Sequence, residues 1–306
     1  MTALKKGDRH RLTVESGDES QRTPEPVPVF QQPAMPAPSV SASVDSGRSQ
    51  TESSLAPEDD RLTRYAQFDR CNGPYLDWQV AQFQDVLGQR ILEIGTGVGG
   101  IIERLGAREL IVGTDVEPEI LESTRRRFSD RPDCRFELID VFSAPAGPLE
   151  ALRACAFDTI VCINVLEHIS DDAAALGRME QLLAPGGRVA LLVPAHPTLY
   201  GEYDRIDGHY RRYSRRMLRE AVSKTGLRIV RMHYFNAVGA IGWWVQYRLL
   251  RRSIHRPGHF RVMNALLPVL RRLEGLRSPP FGLSLVAILE RPGPDGPQAA
   301  MPADCQ

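Results

Sequence analysis

A short apolar run that opens into closely spaced glycines does most to limit what this chain can become. RILEI (90–94) leads directly into Gly95-Thr96-Gly97-Val98-Gly99-Gly100. A strand ending this way must turn at once, because glycine tolerates the backbone angles of a tight reversal and lets a ligand approach the main chain. Three more apolar runs follow, ELIVGT (109–114), FDTIVCI (157–163) and RVALLVP (188–194), with helical stretches expected near 99–107, 117–128 and 171–183. Continuous apolar runs of this length read as parallel strands covered on both faces. Strand alternating with helix implies a doubly wound α/β sheet, whose ligands lie beyond the carboxyl ends of the strands where strand order reverses.

The chemistry is therefore expected just after each strand. The helix predicted behind the glycines would offer free amide N–H groups. The second strand is expected to end at Asp115, whose carboxylate can accept both hydroxyls of a ribose, in NAD or in S-adenosylmethionine. A third segment, CRFELID, ends at Asp140, placed to accept from an adenine amino group, with the backbone N–H of Val141 beside it. FDTIVCI delivers Asn164-Val165-Leu166-Glu167-His168, and Pro185-Gly186-Gly187 makes a turn into the fifth strand. Gly95, Gly97 and Gly100 also satisfy the G-x-G-x-x-G of dinucleotide enzymes, so an NAD-dependent oxidoreductase is the competing class.

The order of these pieces resembles the class I S-adenosylmethionine-dependent methyltransferases. The resemblance covers roughly 75–235 and rests on E-x-G-x-G-x-G, the strands ending in Asp115 and Asp140, FDTIV with NVLEHI, and LLAPGG. It implies a Rossmann-like, mostly parallel seven-stranded sheet with an antiparallel last strand, for which LSLVAILE (283–290) is available, and S-adenosylmethionine as cofactor. On that resemblance Glu93, Gly95, Gly97, Gly99, Asp115, Asp140, Val141 and Asn164 are the cofactor-binding residues. Gly95, Gly97 and Gly99 would line the methionine part, Asp115 would hold the ribose, Asp140 and Val141 the adenine, and Asn164 would sit beside the sulfonium.

Methyl transfer from a sulfonium is an in-line displacement, so the protein mainly aligns the acceptor and removes its proton. Glu167 and His168, together with His209 from VPAHPTLYGEYDRIDGHYRRYSRRML, are the catalytic candidates, with His168 and His209 expected to flank the acceptor oxygen. That segment resembles a bacterial methyltransferase subgroup with GHYRRYS, loosely related to the quinone-biosynthesis O-methyltransferases. In small-RNA 2′-O-methyltransferases, a Glu-x-x-Glu-His element and a later His bind a divalent metal. Here Asn164 stands in place of the first Glu, so metal binding stays open and no metal ligand is assigned. Arg211 and Arg212 can grip an acidic group on the acceptor or merely precede a helix capped by Ser214.

The expected acceptor is a hydroxyl on a sugar, glycan or small natural product, with nitrogen and carbon acceptors as alternatives. With 38 basic and 38 acidic side chains, the chain has no charge excess that would favour nucleic acid. No apolar run reaches the ~18 residues of a membrane span, and MTALKKGDRH lacks a secretory signal's apolar stretch, so the cytoplasm is expected. Five scattered Cys with no C-x-x-C pair support neither a zinc ribbon nor a disulfide framework. Residues 1–58 and 292–306 are poor in large apolar groups and are expected to be disordered, leaving 59–291 as the domain. Within it, 237–277 reads as a helical insertion or lid, with Pro268 a kink. Trp243, Trp244 and nearby arginines make 238–252 a candidate for peripheral membrane contact, and the insertion could also serve a homodimer.

Overall fold

The computed structural model describes residues 63, 69–245, 267–275 and 278–293. The expected tails, apart from 292–293, and residues 246–266 of the insertion lie outside the described residues. The strands are β1 (Arg90–Ile94), β2 (Leu110–Asp115), β3 (Cys134–Leu138), β4 (Phe157–Ile163), β5 (Leu183–Pro194), β6 (Arg228–Phe235) and β7 (Ser284–Glu290). The helices are α1 (Gly73–Ala81), α2 (Pro118–Arg127), α3 (Ala146–Arg153), α4 (Asp172–Leu182), α5 (Glu202–Ile206), α6 (Arg215–Val222) and α7 (Ala237–Trp244).

The strands form one sheet in the order β3-β2-β1-β4-β5-β7-β6. β7 runs antiparallel to both β5 and β6, and the other pairings are parallel. The order reverses between β1 and β4, and in sheets of this kind ligands bind at the carboxyl ends of such strands.

Strand side chains alternate between two apolar layers, as the twofold period of a strand demands. Leu92, Ile94, Ile160, Cys162, Leu191 and Val193 face the layer built with Leu152 of α3, Leu176 and Met179 of α4 and Leu218 of α6. Ile91, Val161 and Ala190 face the other layer, with Leu76 and Val80 of α1 and Ile102 and Leu105. A third cluster joins Trp78, Leu192, Phe235 and Val286 to Leu267 and Leu270, so the helical stretch 267–275 of the insertion packs on the sheet. Burying each such side chain contributes about 1.5–3 kcal/mol.

Some expected elements differ. The helix expected over 99–107 is a run of turns with one 3-10 turn at Ile102–Arg104. Gly99 and Gly106 both have positive φ, and Arg104 folds back to donate from Nη1 to the Gly100 carbonyl at 2.6 Å. β3 stops at Leu138, so Asp140 lies in the loop beyond it. The Pro185-Gly186-Gly187 turn lies within β5, with a break in register opposite β4 and Gly186 N–H donating to the Arg291 carbonyl. Pro268 falls in the first described turn of the stretch 267–275, and the residues before it are not described. Cys155 and Cys162 are buried thiols, whereas Cys71 is exposed. No helix among the described residues is long and apolar enough to cross a membrane.

Candidate active site

The glycine loop after β1 has the conformation that its composition demands. Gly95, Gly97 and Gly99 have φ of +75°, +52° and +83°. Space separates their roles. A Cβ on Gly95 would lie 2.5 Å from Val165 Cγ2, and one on Gly99 would lie 2.3 Å from the Phe128 ring, so both positions keep elements close together. A Cβ on Gly97 would meet nothing within 4 Å, which leaves its main chain open to a ligand.

The loop is braced from α2. Thr124 Oγ1 donates to the Gly97 carbonyl at 2.7 Å and Arg127 Nη1 to the Val98 carbonyl at 2.7 Å. Arg127 also pairs with the buried Asp69 at 2.6 Å, a partnership with no periodic signature in the sequence. Asp115 closes the other side, accepting from Gly97 N–H at 2.8 Å through Oδ2 and from Val116 and Glu117 N–H through Oδ1. Asp140 is exposed in its loop, accepts from Phe142 N–H and Ser143 Oγ, and is followed by the buried Val141.

Glu93 lies beneath this loop, 3% exposed, accepting from Thr96 Oγ1 at 2.8 Å. Burial, aided by the negative charges of Asp115 and Asp69, pushes its carboxyl up to about 8 against the Thr96 hydrogen bond. Asn164, at the end of β4, is exposed and takes φ of +52°, a left-handed conformation that asparagine tolerates better than most residues. Its neighbour Val165 touches the glycine loop at Gly95.

Beyond β4 the structure brings Glu167, His168 and His209 together. Among the described residues, each offers a ligand-type atom within 4.8 Å of the others. The His168 and His209 rings meet edge to face, 4.6 Å between centroids. Glu167 is completely buried, and neither carboxylate oxygen has a hydrogen-bond partner. Burial pushes its carboxyl up to about 8, so it is mostly protonated near neutral pH. Burial and the neighbouring His209 hold His168 below the usual imidazole range.

His209 has the opposite setting. Its Nδ1 lies 3.0 Å from Asp204 Oδ1 and its Nε2 lies 3.0 Å from Asp207 Oδ2. Burial pulls its pKa down, but Asp204, Asp207 and Glu167 outweigh that and push it up to about 9. Both ring nitrogens of His209 already face carboxylates, so as arranged the three groups do not present a metal site, and the chemistry is derived without one.

Several other polar residues of the segment are engaged by partners within the protein. Arg212 is 2% exposed and donates from Nε to Asp204 at 2.8 Å, while Arg211 pairs with Asp172 at 2.9 Å. The expectation that they grip an acidic acceptor group therefore gives way to internal pairing. Ser214 caps α6 by accepting from Met217 N–H. Tyr213 is buried, its hydroxyl 3.2 Å from Asp172. His196 stacks on Tyr234 at 4.7 Å between centroids. Sequence reasoning placed Asp204 among the polar residues of this stretch but missed that it is completely buried and joins His209 to Arg212.

Linkage makes this cluster visible in stability. Glu93 and Glu167 have native pKa values raised from 4.5 to about 8, so the native state holds protons that the unfolded chain has already released. His209, raised from 6.5 to about 9, contributes stability that is full below 6.5 and is lost as pH rises through 9. All three act in the same direction above pH 6.5. The melting temperature is expected to fall steadily between pH 6.5 and 9, with a shallower fall in Glu167→Gln. A flat or rising curve in calorimetry would contradict these assignments.

Residues 92–189 match a family model described as a methyltransferase domain. The ubiquinone biosynthesis O-methyltransferase of Aromatoleum aromaticum is 28% identical over 131 residues, 42% of this chain and 54% of that protein. The chain thus spans about half the length of this curated relative. A chain from the complex of the Haloferax volcanii Trm112 methyltransferase activator with a methyltransferase superposes with a TM-score of 0.50 at 18% identity, covering 76% of this chain and 95% of that one. The Haemonchus contortus phospholethanolamine N-methyltransferase 2, in complex with phosphomonomethylethanolamine and S-adenosylhomocysteine, superposes with a TM-score of 0.52 at 15% identity, covering 77% and 59%. Residues 92–189 are thus similar to a methyltransferase domain, and the fold that carries them is the Rossmann-like fold of these solved methyltransferase structures.

Proposed function

We propose that this chain transfers the methyl group of S-adenosylmethionine to an oxygen, most simply a hydroxyl on a sugar, glycan or small natural product. The observation that carries the reading is that the glycine loop follows β1 and the Glu167–His168–His209 cluster follows the adjacent β4, with Val165 between them close against Gly95. Gly95, Gly97 and Gly99 line the methionine part of the donor and Asp115 takes the ribose hydroxyls. Asp140 and the Val141 amide take the adenine, for which the 59%-exposed Val116 supplies an apolar edge. Asn164 stands at the sulfonium end, and Glu93 supports the loop from below.

An oxygen acceptor is favoured because a hydroxyl must lose its proton as the new bond forms, and a neutral histidine stands ready for it. The acceptor oxygen attacks the methyl carbon, the carbon–sulfur bond breaks, and its electron pair stays on sulfur, giving neutral S-adenosylhomocysteine. The hydroxyl proton passes to His168. The O-methyltransferase named among the relatives supports the same choice. Exposed Val238, Ile241 and Trp244 on α7 are the described part of the 238–252 segment available for membrane or dimer contact.

Titration calorimetry should show binding of S-adenosylhomocysteine and none of NAD. Incubation of the chain and a metabolite extract with deuterated-methyl cofactor should then yield a product carrying the label on oxygen. With that acceptor, turnover should rise with pH along a limb below 6.5, as His168 loses its proton, and fall again near 9, as His209 loses its own. His168→Ala should lower turnover roughly 100- to 10,000-fold, the usual contribution of a general base, with S-adenosylhomocysteine binding unchanged. Full activity in that variant would remove His168 from the reaction, and label on nitrogen or carbon would overturn the acceptor class.

A further inference from the structure

Two polar connections of His209, its Nδ1 and its backbone amide, lead back to one residue. Asp204 is completely buried, and both of its carboxylate oxygens are used. Oδ2 accepts from Gly201 N–H at 2.9 Å, while Oδ1 lies 2.8 Å from Arg212 Nε and 3.0 Å from His209 Nδ1. The His209 amide also donates to the Asp204 carbonyl at 2.8 Å, so ring and backbone are tied to the same residue. Arg212 is fixed in turn, its guanidinium 4.4 Å from the centre of the Trp243 ring on α7. A buried carboxylate held by a buried guanidinium cannot swing away from the imidazole without leaving a charge unpaired, which is costly.

The consequence falls on His168. Two imidazole rings 4.6 Å apart resist holding two positive charges. The charged and titratable groups facing His209 are Asp204 and Asp207 from its own segment, and Glu167 and His168 from the loop after β4. Only His209 has a carboxylate on each nitrogen. Asp207 is 48% exposed and works against solvent, whereas Asp204 is sealed from it.

We propose that Asp204 is the positioning residue of this site: through Nδ1 it makes His209 the fixed cation of the pair, which leaves His168 neutral and able to accept the hydroxyl proton. The last step rests on the oxygen-methylation reading. The division of charge between the two rings does not.

The experiment is a histidine titration by NMR on the ¹⁵N-labelled full chain, bound to S-adenosylhomocysteine as the only added ligand. In the wild-type chain, one ring of the pair should titrate well above the other. In Asp204→Asn, His209 should move down by about one to two pH units, the size expected on losing an adjacent opposite charge. His168 should move up as its neighbour loses charge. In Asp207→Asn, which changes a half-exposed residue and should fold normally, His209 should move less and remain the more basic ring. An unmoved His209 in Asp204→Asn, or His168 becoming the more basic ring in Asp207→Asn, would overturn the proposal.

A wild-type chain that fails to bind S-adenosylhomocysteine would sink the cofactor reading while leaving this test intact in the free protein. Once an acceptor is known, Asp204→Asn should lower kcat and raise the acid limb of its pH profile without changing KM for the donor. A residue that serves only to hold the fold would move donor affinity and melting temperature and leave that limb in place.

Discussion

Asp115→Ala is expected to weaken S-adenosylhomocysteine binding roughly 100- to 1000-fold while the sheet stays folded. Hydrogen bonds to a charged group are worth about 1.5–3 kcal/mol each, and a ribose offers two hydroxyls, so at about 1.5–2 kcal/mol apiece about 3–4 kcal/mol is at stake, with about 1.4 kcal/mol per tenfold change. The same side chain anchors Gly97 N–H at 2.8 Å and the first two amides after β2, so its removal also frees the loop that must receive the donor. Asp115→Asn, which keeps one acceptor oxygen, should lose less. Gly97→Ala should mimic the loss by another route. Its methyl would stand in open space at φ of +52°, costing about 1–2 kcal/mol of stability and obstructing the ligand more than the protein. Gly95→Ala makes the contrast, since its methyl would press against Val165 and the fold itself would suffer. Calorimetric titration with parallel melts separates these cases. Undiminished binding in Asp115→Ala would show that the ribose lies elsewhere.

The strands were legible because burial on both faces writes them as unbroken apolar runs. RILEI and FDTIVCI match β1 and β4, and the expected antiparallel last strand is β7. The glycine loop was legible for a related reason: only glycine takes its backbone angles cheaply, so the conformation leaves its mark on composition. The turns after it were not legible. IIERLG has a helical pattern, but its contacts in the fold are long range, with Gly99 close to Phe128, Gly100 close to Asp69, and Arg104 bound to Asp77. The pairing of Asp204 with Arg212 was hidden for the same reason. Carboxylate, imidazole and guanidinium at 204, 209 and 212 follow no period, and their partnership depends on a five-residue helix and the turn after it. Motif resemblance named the candidate residues, but only the fold shows how charge is distributed among them.

That distribution makes Glu167 the costliest side chain in the cluster. Glu167→Met is expected to raise stability and abolish methyl transfer together. A buried polar group without a hydrogen bond costs about 1–3 kcal/mol, and Glu167 leaves both carboxylate oxygens without a partner at zero exposure. A methionine of similar length would fill the space without that penalty. In a domain of this size each kcal/mol moves the melting temperature by about 2–4 °C, so a rise of roughly 2–12 °C is expected at pH 7. At pH 9, where the carboxyl with its pKa of about 8 is forced to ionise, the advantage over the wild-type chain should be larger. Turnover should be lost because the carboxyl packs beside both histidines and its replacement changes the surroundings that position them. Binding of S-adenosylhomocysteine should survive, because the glycine loop and Asp115 are untouched. Glu167→Gln separates shape from charge: it keeps the length but still buries unpaired polar atoms, so it should gain little stability and lose activity as fully. A lower melting temperature in Glu167→Met would mean that the carboxyl has a partner in solution, and unchanged turnover would mean that the strain serves no catalytic end.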